Sequence, residues 1–444
     1  MDEKSAADYA ITDARQLGVP KMLLLGLQHM FAMFGATVLV PIIVSGYGLP
    51  LSIQTTLFFA GVGTLFFHVC TKLKIPAFLG SSFAFLGGFE AVSKLNTGAF
   101  AAMTGEEKLP YALGGVVVAG LLYLVLALLF KGIGPQKVMR VLSPVVTGPI
   151  IICIGLTLAP SAIANASACW WLAILAVAVV IVCSIFGKGM VQIIPILLGV
   201  VIPYVAALCF RMVDFTALRS AEVVGLQPFV MAKFDLSSIL IMAPIAVATM
   251  MEHVGDISAI SATTGKNFMT DPGLHRTLVG DGIATALAGM FGGPANTTYS
   301  ENTGVLALSK VYDPRVVRLA ALYAVILSFS PKFAEIIHSI PTAIIGGVSL
   351  ILYGMISAVG VRNVVENRVD FSKSRNLIIA AVILVSGLGF NTYGGITLRI
   401  AGADVTLTGL AIAAVLGVLL NAVLPGNDYV FDAGVTGDSP ADPD

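Results

Sequence analysis

The sequence predicts an all-α polytopic membrane protein whose 14 transmembrane segments form two inverted 7-segment repeats. Three observations lead there: an apolar composition, the number and length of the apolar stretches, and the side of the membrane on which the basic residues fall. Of 444 residues, 57% are hydrophobic and 11% are charged, against ~45–50% and ~25% in ordinary soluble domains. A mean hydropathy of +0.93 leaves too little polar surface to coat a water-soluble particle of this size.

A helix needs ~20 apolar residues to cross a bilayer. Read by that length, segments 1–7 lie near 22–45, 50–70, 76–93, 111–131, 140–163, 168–186 and 189–210. A polar stretch, 211–236, separates them from segments 8–14 near 237–262, 275–292, 296–310, 315–335, 340–361, 375–392 and 404–424. Segment 10 is too short and polar to cross as a regular helix. With the N-terminus inside, 18 of the 25 basic residues fall on the cytoplasmic side. The outer side keeps Lys94, Lys108, Arg211, Arg219, Lys233, Lys332 and Arg399. That bias satisfies the positive-inside rule for fourteen spans with both termini cytoplasmic. Residues 1–20 are polar and lack the basic and apolar regions of a cleaved signal, so they are read as a cytoplasmic segment. The acidic tail 426–444 has the composition of a disordered segment.

Seven crossings per half force the second half to enter from the opposite side, so any repeat is inverted. Two echoes support one. Leu27-Gln28-His29 in segment 1 is matched by Met251-Glu252-His253 in segment 8, and Gly80-Ser81-Ser82-Phe83 in segment 3 by Tyr299-Ser300-Glu301 in segment 10. Segments 3 and 10 also share an unusual mixture of Gly, Pro and small hydroxyl residues: IPAFLGSSFAFLGG (75–88) and GGPANTTYSENTG (292–304). Non-helical backbone survives at membrane depth only where it is buried or lines a cavity. Paired interrupted segments in two halves therefore point to a transporter's midplane site. The alternative is a pair of helix–helix packing faces that use small residues for close approach.

Balanced charge, 25 basic and 25 acidic residues, removes the basic excess of a nucleic-acid binder. Five cysteines lie in or beside apolar stretches without metal-ligand spacing, so they read as packing residues and no metal site follows. There is no Walker A, HExxH or GxSxG motif and no cofactor fingerprint, which argues against an enzyme. The informative residues are instead the few charges deep in the segments. Glu252 and Asp256 stand a turn apart on one helix face, and Glu301 lies inside broken segment 10. A carboxylate at membrane depth costs ~2.5–3.5 kcal/mol on insertion scales, so it faces a cavity and marks an ion or substrate path, or else anchors neighbouring helices. Acids converging in a dry cavity resist being ionised together, which suits a carrier that moves protons. Carboxylates also suit a planar ligand offering N–H groups, and main-chain N–H groups from broken helices would serve its carbonyl oxygens; a uracil-like ring has both. His29 divides evenly between a proton role and a helix contact, whereas His253 reads as a helix contact. Tyr299 and Tyr353 are possible lining residues, and Asp281 reads as a cap or anchor near the cytoplasmic face.

Five stretches then show a specific likeness: LQHMFAMFGATVLVP (27–41), IPAFLGSSFAF (75–85), EHVG (252–255), DPGLHR (271–276) and NTTYSENTGVLALSK (296–310). On them the chain, from about Lys21 to Leu424, resembles the nucleobase–ascorbate transporter (nucleobase–cation symporter-2) family, and within it the bacterial uracil permease branch. The resemblance implies proton-coupled import of uracil across the bacterial inner membrane, by alternating access, in a homodimer, with the proton as coupling ion and no cofactor. It implies short β-strands breaking segments 3 and 10. It also implies a core domain (21–135 and 237–337) and a gate domain (136–236 and 338–425). Carried over, Glu252 and Glu301 bind the pyrimidine, the main chain at Phe83 and Ser300 completes the hydrogen bonds, and Tyr299 and Tyr353 lie alongside. His29 follows Gln28 as in the family's pair in segment 1. Proton coupling falls to Glu301, Asp256 and His29. Three departures stand out: Ser309 replaces a signature threonine, Ser300 a glycine, and Asp256 a histidine linked to the proton network.

Overall fold

A computed structural model describes residues 10–400, 403–426 and 429. Of the acidic tail assigned to 426–444, all but Gly426 and Tyr429 lies outside the described residues, as do residues 1–9. The described chain is mostly helical, and each of the fourteen stretches contains a helix. Among the described residues, seven helices are long and apolar enough to span a bilayer: Val19–Gly46, Ile53–Cys70, Gly105–Ile133, Pro144–Ala166, Leu236–Thr264, Thr342–Glu366 and Ser374–Tyr393. An eighth is added if Pro314–Ser328 and Pro331–His338, bent by 88° at Phe329–Ser330, count as one span. Trp170–Phe186, Pro195–Cys209 and Gly409–Val423 are apolar but shorter. The chain is thus a multi-pass membrane protein, and large apolar side chains such as Leu128, Phe186 and Val385 stand exposed on its outside, where lipid accepts them and water would not.

Local chemistry sets the helix boundaries. Pro20 sits in the first turn of Val19–Gly46, where its missing N–H is no loss. Thr104 and Glu107 form a reciprocal capping box at the start of Gly105–Ile133. Asp235 accepts from the backbone of Ser237 and Ser238, and Asp313 from that of Arg315. The last segment begins later than the sequence suggested. Residues Ala403–Leu407 form a strand paired antiparallel with Ile396–Ile400, and the helix starts only at Gly409. The β-branched residues Ile396, Thr397, Val405 and Thr406 favour that hairpin over helix.

The packing has a cross-half order. Segment 4 (Gly105–Ile133) lies on segment 9 (Leu274–Met290), while segment 2 (Ile53–Cys70) lies on segment 11 (Pro314–Ser328). Segment 5 (Pro144–Ala166) packs along segment 12 (Thr342–Glu366). Close approach in the first two pairs rests on glycines 221 positions apart. A Cβ on Gly61 would come within 2.5 Å of the Ala321 carbonyl oxygen, and one on Gly282 within 2.7 Å of that of Gly120. Three residues further on, Thr64 and Thr285 do matching work, described below. Neither Gly-x-x-Thr pair was among the echoes read from sequence.

The non-helical backbone of segments 3 and 10 forms two short strands, β1 (Leu79–Ser81) and β2 (Asn296–Thr298), paired antiparallel with Gly80 opposite Thr297. Flanking main-chain bonds extend the pairing, from Ser82 N to Ala295 O at 2.8 Å and from Tyr299 N to Phe78 O at 3.0 Å. Thr64 Oγ1 accepts from Leu79 N (2.9 Å) and donates to Leu79 O (3.2 Å). Thr285 Oγ1 does the same for Asn296 N (3.1 Å) and O (3.2 Å). The polar stretch between the halves is no free loop. Its residues Gly225, Val230 and Lys233 donate to the carbonyls of Phe329, Phe291 and Pro110, across the ends of segments 11, 9 and 4.

Because backbone leaves no space at Gly282, Gly282→Ala should destabilise the fold by about 1–3 kcal/mol. A thermal melt of the purified protein in detergent tests this; an unchanged midpoint would mean the two helices are free to separate.

Candidate functional site

A cavity of about 230 Å³ opens beside the strand pair. That is below the ~300–1,000 Å³ of pockets for drug-sized ligands, and suits a single small ring. Its two walls differ in chemistry. One carries Glu252 from helix Ile245–Thr264, Thr297 and Thr298 from β2, and Tyr299, Ser300 and Glu301 from the junction into helix Ser300–Ser309, with Phe83 and Ala84 from the turn after β1. The other is apolar: Ile151 and Ile154 from segment 5, and Leu352, Met355, Ile356 and Val359 from segment 12. No Lys or Arg lines it. The two carboxylates therefore have no basic side chain beside them on the lining.

Both strands feed helices that begin at the cavity, at Phe83 and at Ser300. The first N–H groups of a helix have no intrahelical acceptor and carry its positive dipole end, so they suit a ligand's carbonyl oxygens. Tyr299 is locked in place. Its hydroxyl donates to Ser81 O at 2.8 Å, Thr37 Oγ1 lies 3.4 Å away, and its ring packs so closely on Gly80 that a Cβ there would sit 2.3 Å from it. Only glycine fits at that position.

The residues singled out in the sequence are thus partly gathered. Glu252, Glu301, Phe83, Ser300 and Tyr299 line one cavity. Asp256 stands behind the wall, 7% exposed, with its two oxygens accepting from Thr298 Oγ1 (2.6 Å) and Ser300 Oγ (2.7 Å). His29 is fully buried on segment 1, where Asn302 Nδ2 reaches its Nδ1 (3.1 Å) and its carbonyl oxygen (3.0 Å). Tyr353 is not among the lining residues; it is buried with its hydroxyl among Tyr47, Ser161 and Ser349, while Leu352 beside it faces the cavity. Asp281, read as a cap or an anchor, is an anchor: it is fully buried, with Oδ2 2.9 Å from Nδ1 of His253, where segment 9 meets segment 8.

Thr297, Thr298 and the apolar wall were not singled out in the sequence. Their signal was faint: two threonines in a stretch read only for its composition, and aliphatic residues indistinguishable from lipid-facing ones.

Comparison with known proteins agrees with this architecture. The Permease family model (Xan_ur_permease) matches residues 20–395. A uracil permease of Bacillus caldolyticus is 41% identical over 423 residues, 92% of this chain and 93% of that protein. The putative pyrimidine permease RutG of Escherichia coli (strain K12) is 39% identical, over 90% of this chain and 88% of that protein. Among solved structures, the transmembrane domain of the cyanobacterium bicarbonate transporter BicA shares the fold, with a TM-score of 0.59 at 16% identity, covering 84% of this chain and 96% of that one.

Removing Asp281 leaves buried His253 without its partner. Asp281→Ala should cost roughly 1–3 kcal/mol, read as a lowered melting midpoint in detergent. Stability equal to wild type would mean that the pair contributes nothing to joining segments 8 and 9.

Proposed function

The chain belongs to the Permease family, the nucleobase–ascorbate transporters, and from that premise we propose that it is a proton-coupled symporter importing uracil. It is a permease and not an enzyme. The observation that carries the cargo reading is the two-faced cavity. Two carboxylates and two helix N-termini supply acceptors and donors along one edge, and an aliphatic wall covers a flat face. Uracil presents that combination, with ring N–H groups for Glu252 and Glu301 and carbonyl oxygens for the main chain at Phe83 and Ser300. The names of the relatives, uracil and pyrimidine permeases, support the same cargo.

In this reading fourteen segments cross the bacterial inner membrane as two inverted repeats with both termini cytoplasmic. Segments 1–4 and 8–11 form a core that carries the polar wall. Segments 5–7 and 12–14 form a gate that carries the apolar wall. Recurrence of the Gly-x-x-Thr pair and the exchange of packing partners between halves support the repeat. Movement of core against gate then exposes the cavity to each side in turn, in a homodimer embedded in lipid. Glu301 takes up the coupling proton. Asp256 reaches its neighbourhood through Ser300, and His29 through Asn302. Tyr353, next to the lining residue Leu352, would act from behind the apolar wall. One proton entering with neutral uracil gains about 2.3 kcal/mol per 100 mV of membrane potential.

Radiolabelled uracil uptake into proteoliposomes tests the reading. Wild type should accumulate uracil saturably when an inward proton gradient is imposed, and Glu301→Gln should lower that uptake by roughly 10–100-fold. Gradient-driven uptake of xanthine but not uracil would overturn the cargo assignment, and non-saturating flux indifferent to the gradient would make the protein a channel. In Asp256→Asn an uncharged NH2 donor replaces one of the two carboxylate oxygens that accept from Thr298 and Ser300, so one of the two hydroxyl bonds must reverse and the group can no longer take up a proton. Asp256→Asn should therefore weaken uptake and displace its pH profile; an unaltered profile would remove Asp256 from proton coupling.

A further inference from the structure

The stretch between the two halves, polar at its start, is apolar over its second part. From Val223 to Ala232 it carries no charge. Val224, Leu226, Phe229, Met231 and Phe234 are each 49–83% exposed. Loops that stand in water seldom display so many large apolar side chains together.

The backbone of this strap is bound to the helices it crosses. Gly225 N donates to Phe329 O (2.8 Å), Val230 N to Phe291 O (3.3 Å), Ala232 N to Met290 O (3.1 Å) and Lys233 N to Pro110 O (2.9 Å). Gln227 is buried and donates through Nε2 to Ser328 Oγ (2.8 Å), while Thr55 Oγ1 donates to Pro228 O (3.4 Å). A Cβ on Gly292 would come within 2.8 Å of Val230 N. Main-chain groups bonded to helices in this way need no water, which is the condition for lying in lipid. The two charges that close the run are also engaged. Lys233 Nζ lies over the Tyr111 ring, 5.8 Å from its centroid, and Asp235 caps helix Leu236–Met242.

These partners also set the depth of the strap. Phe229 packs edge-on against Phe58 and Phe59 of helix Ile53–Cys70, about 8 Å in from the first residue of that helix at a rise of 1.5 Å per residue. The strap is therefore sunk beside the helices, at the level where their outward-facing apolar stripes begin. Leu322 and Ile326 on segment 11, and Leu287 and Phe291 on segment 9, are exposed one turn apart and lead up to the residues that the strap bonds. A surface continuous with those stripes meets what they meet, which is lipid and not a water-borne protein.

We propose that residues 223–236 form an interfacial anchor, with their exposed apolar side chains inserted among phospholipid acyl chains in the leaflet at that end of the helices. Fluorescence quenching in liposomes tests this. Trp170 and Trp171 are the two tryptophans of the chain; with both replaced by phenylalanine, Leu226→Trp supplies a single emitter. In phosphatidylcholine brominated on its acyl chains, that variant should lose most of the emission it shows in the unbrominated lipid. Should Leu226→Trp not fold, Val224→Trp in the same background carries the same expectation. Emission indifferent to bromine would overturn the proposal. Iodide added to the water then tells why: quenching by iodide would place the strap in water, and its absence would place the strap against protein. None of these readouts depends on the cargo or on proton coupling, so failure here leaves the transport reading standing.

Discussion

Unpaired backbone at membrane depth is the constraint on which the rest of this structure depends. Lipid offers no hydrogen bonds, so where segments 3 and 10 leave the helix they must satisfy each other. β1 and β2 do so by pairing, and Thr64 and Thr285 serve the N–H and C=O of Leu79 and Asn296. That solution places two further demands on the fold. The helices bearing the threonines must lie close to the strands and to their own neighbours, which the glycines at 61 and 282 permit. The strands must also end at one level, so that the helices they feed begin side by side. A polar wall at the centre of an apolar protein follows from that arrangement.

The same strand pair decides what the buried acids do. Glu252 and Glu301 face the cavity, whereas Asp256, on the same helix as Glu252, is engaged by hydroxyls on either side of Tyr299. Its two accepted bonds hold the junction between β2 and helix Ser300–Ser309, whose first turn carries Glu301. This also accounts for the serine at 300. Its hydroxyl turns to Asp256, and its backbone N–H remains at the helix start beside the cavity. Ser300 and Asp256 are therefore one paired arrangement. His29 acts at the same helix from the other side, through Asn302, the residue after Glu301. Two buried titratable groups, Asp256 and His29, thus converge on the short helix that carries half-buried Glu301.

Much of this was legible in the sequence because lipid is an unforgiving solvent. Apolar stretches of the right length and a few carboxylates out of place are strong signals when each exception costs several kcal/mol. Length was the weaker guide: segments such as Trp170–Phe186 and Gly409–Val423 are shorter than their apolar stretches suggested, since a hairpin or turn claims residues that hydropathy counts as helix.

What the sequence alone determined is the membrane class, the approximate place of the helices along the chain, and Glu252, Asp256 and Glu301 as carboxylates set within apolar stretches. Only the tertiary structure decided which residues meet. It paired Asp281 with His253 across two helices and turned Tyr353 away from the cavity while Leu352 faces it. The physical reason is the same in each case. A helical or strand period fixes the direction of a side chain relative to its own element, but the partner it meets depends on how distant elements cross.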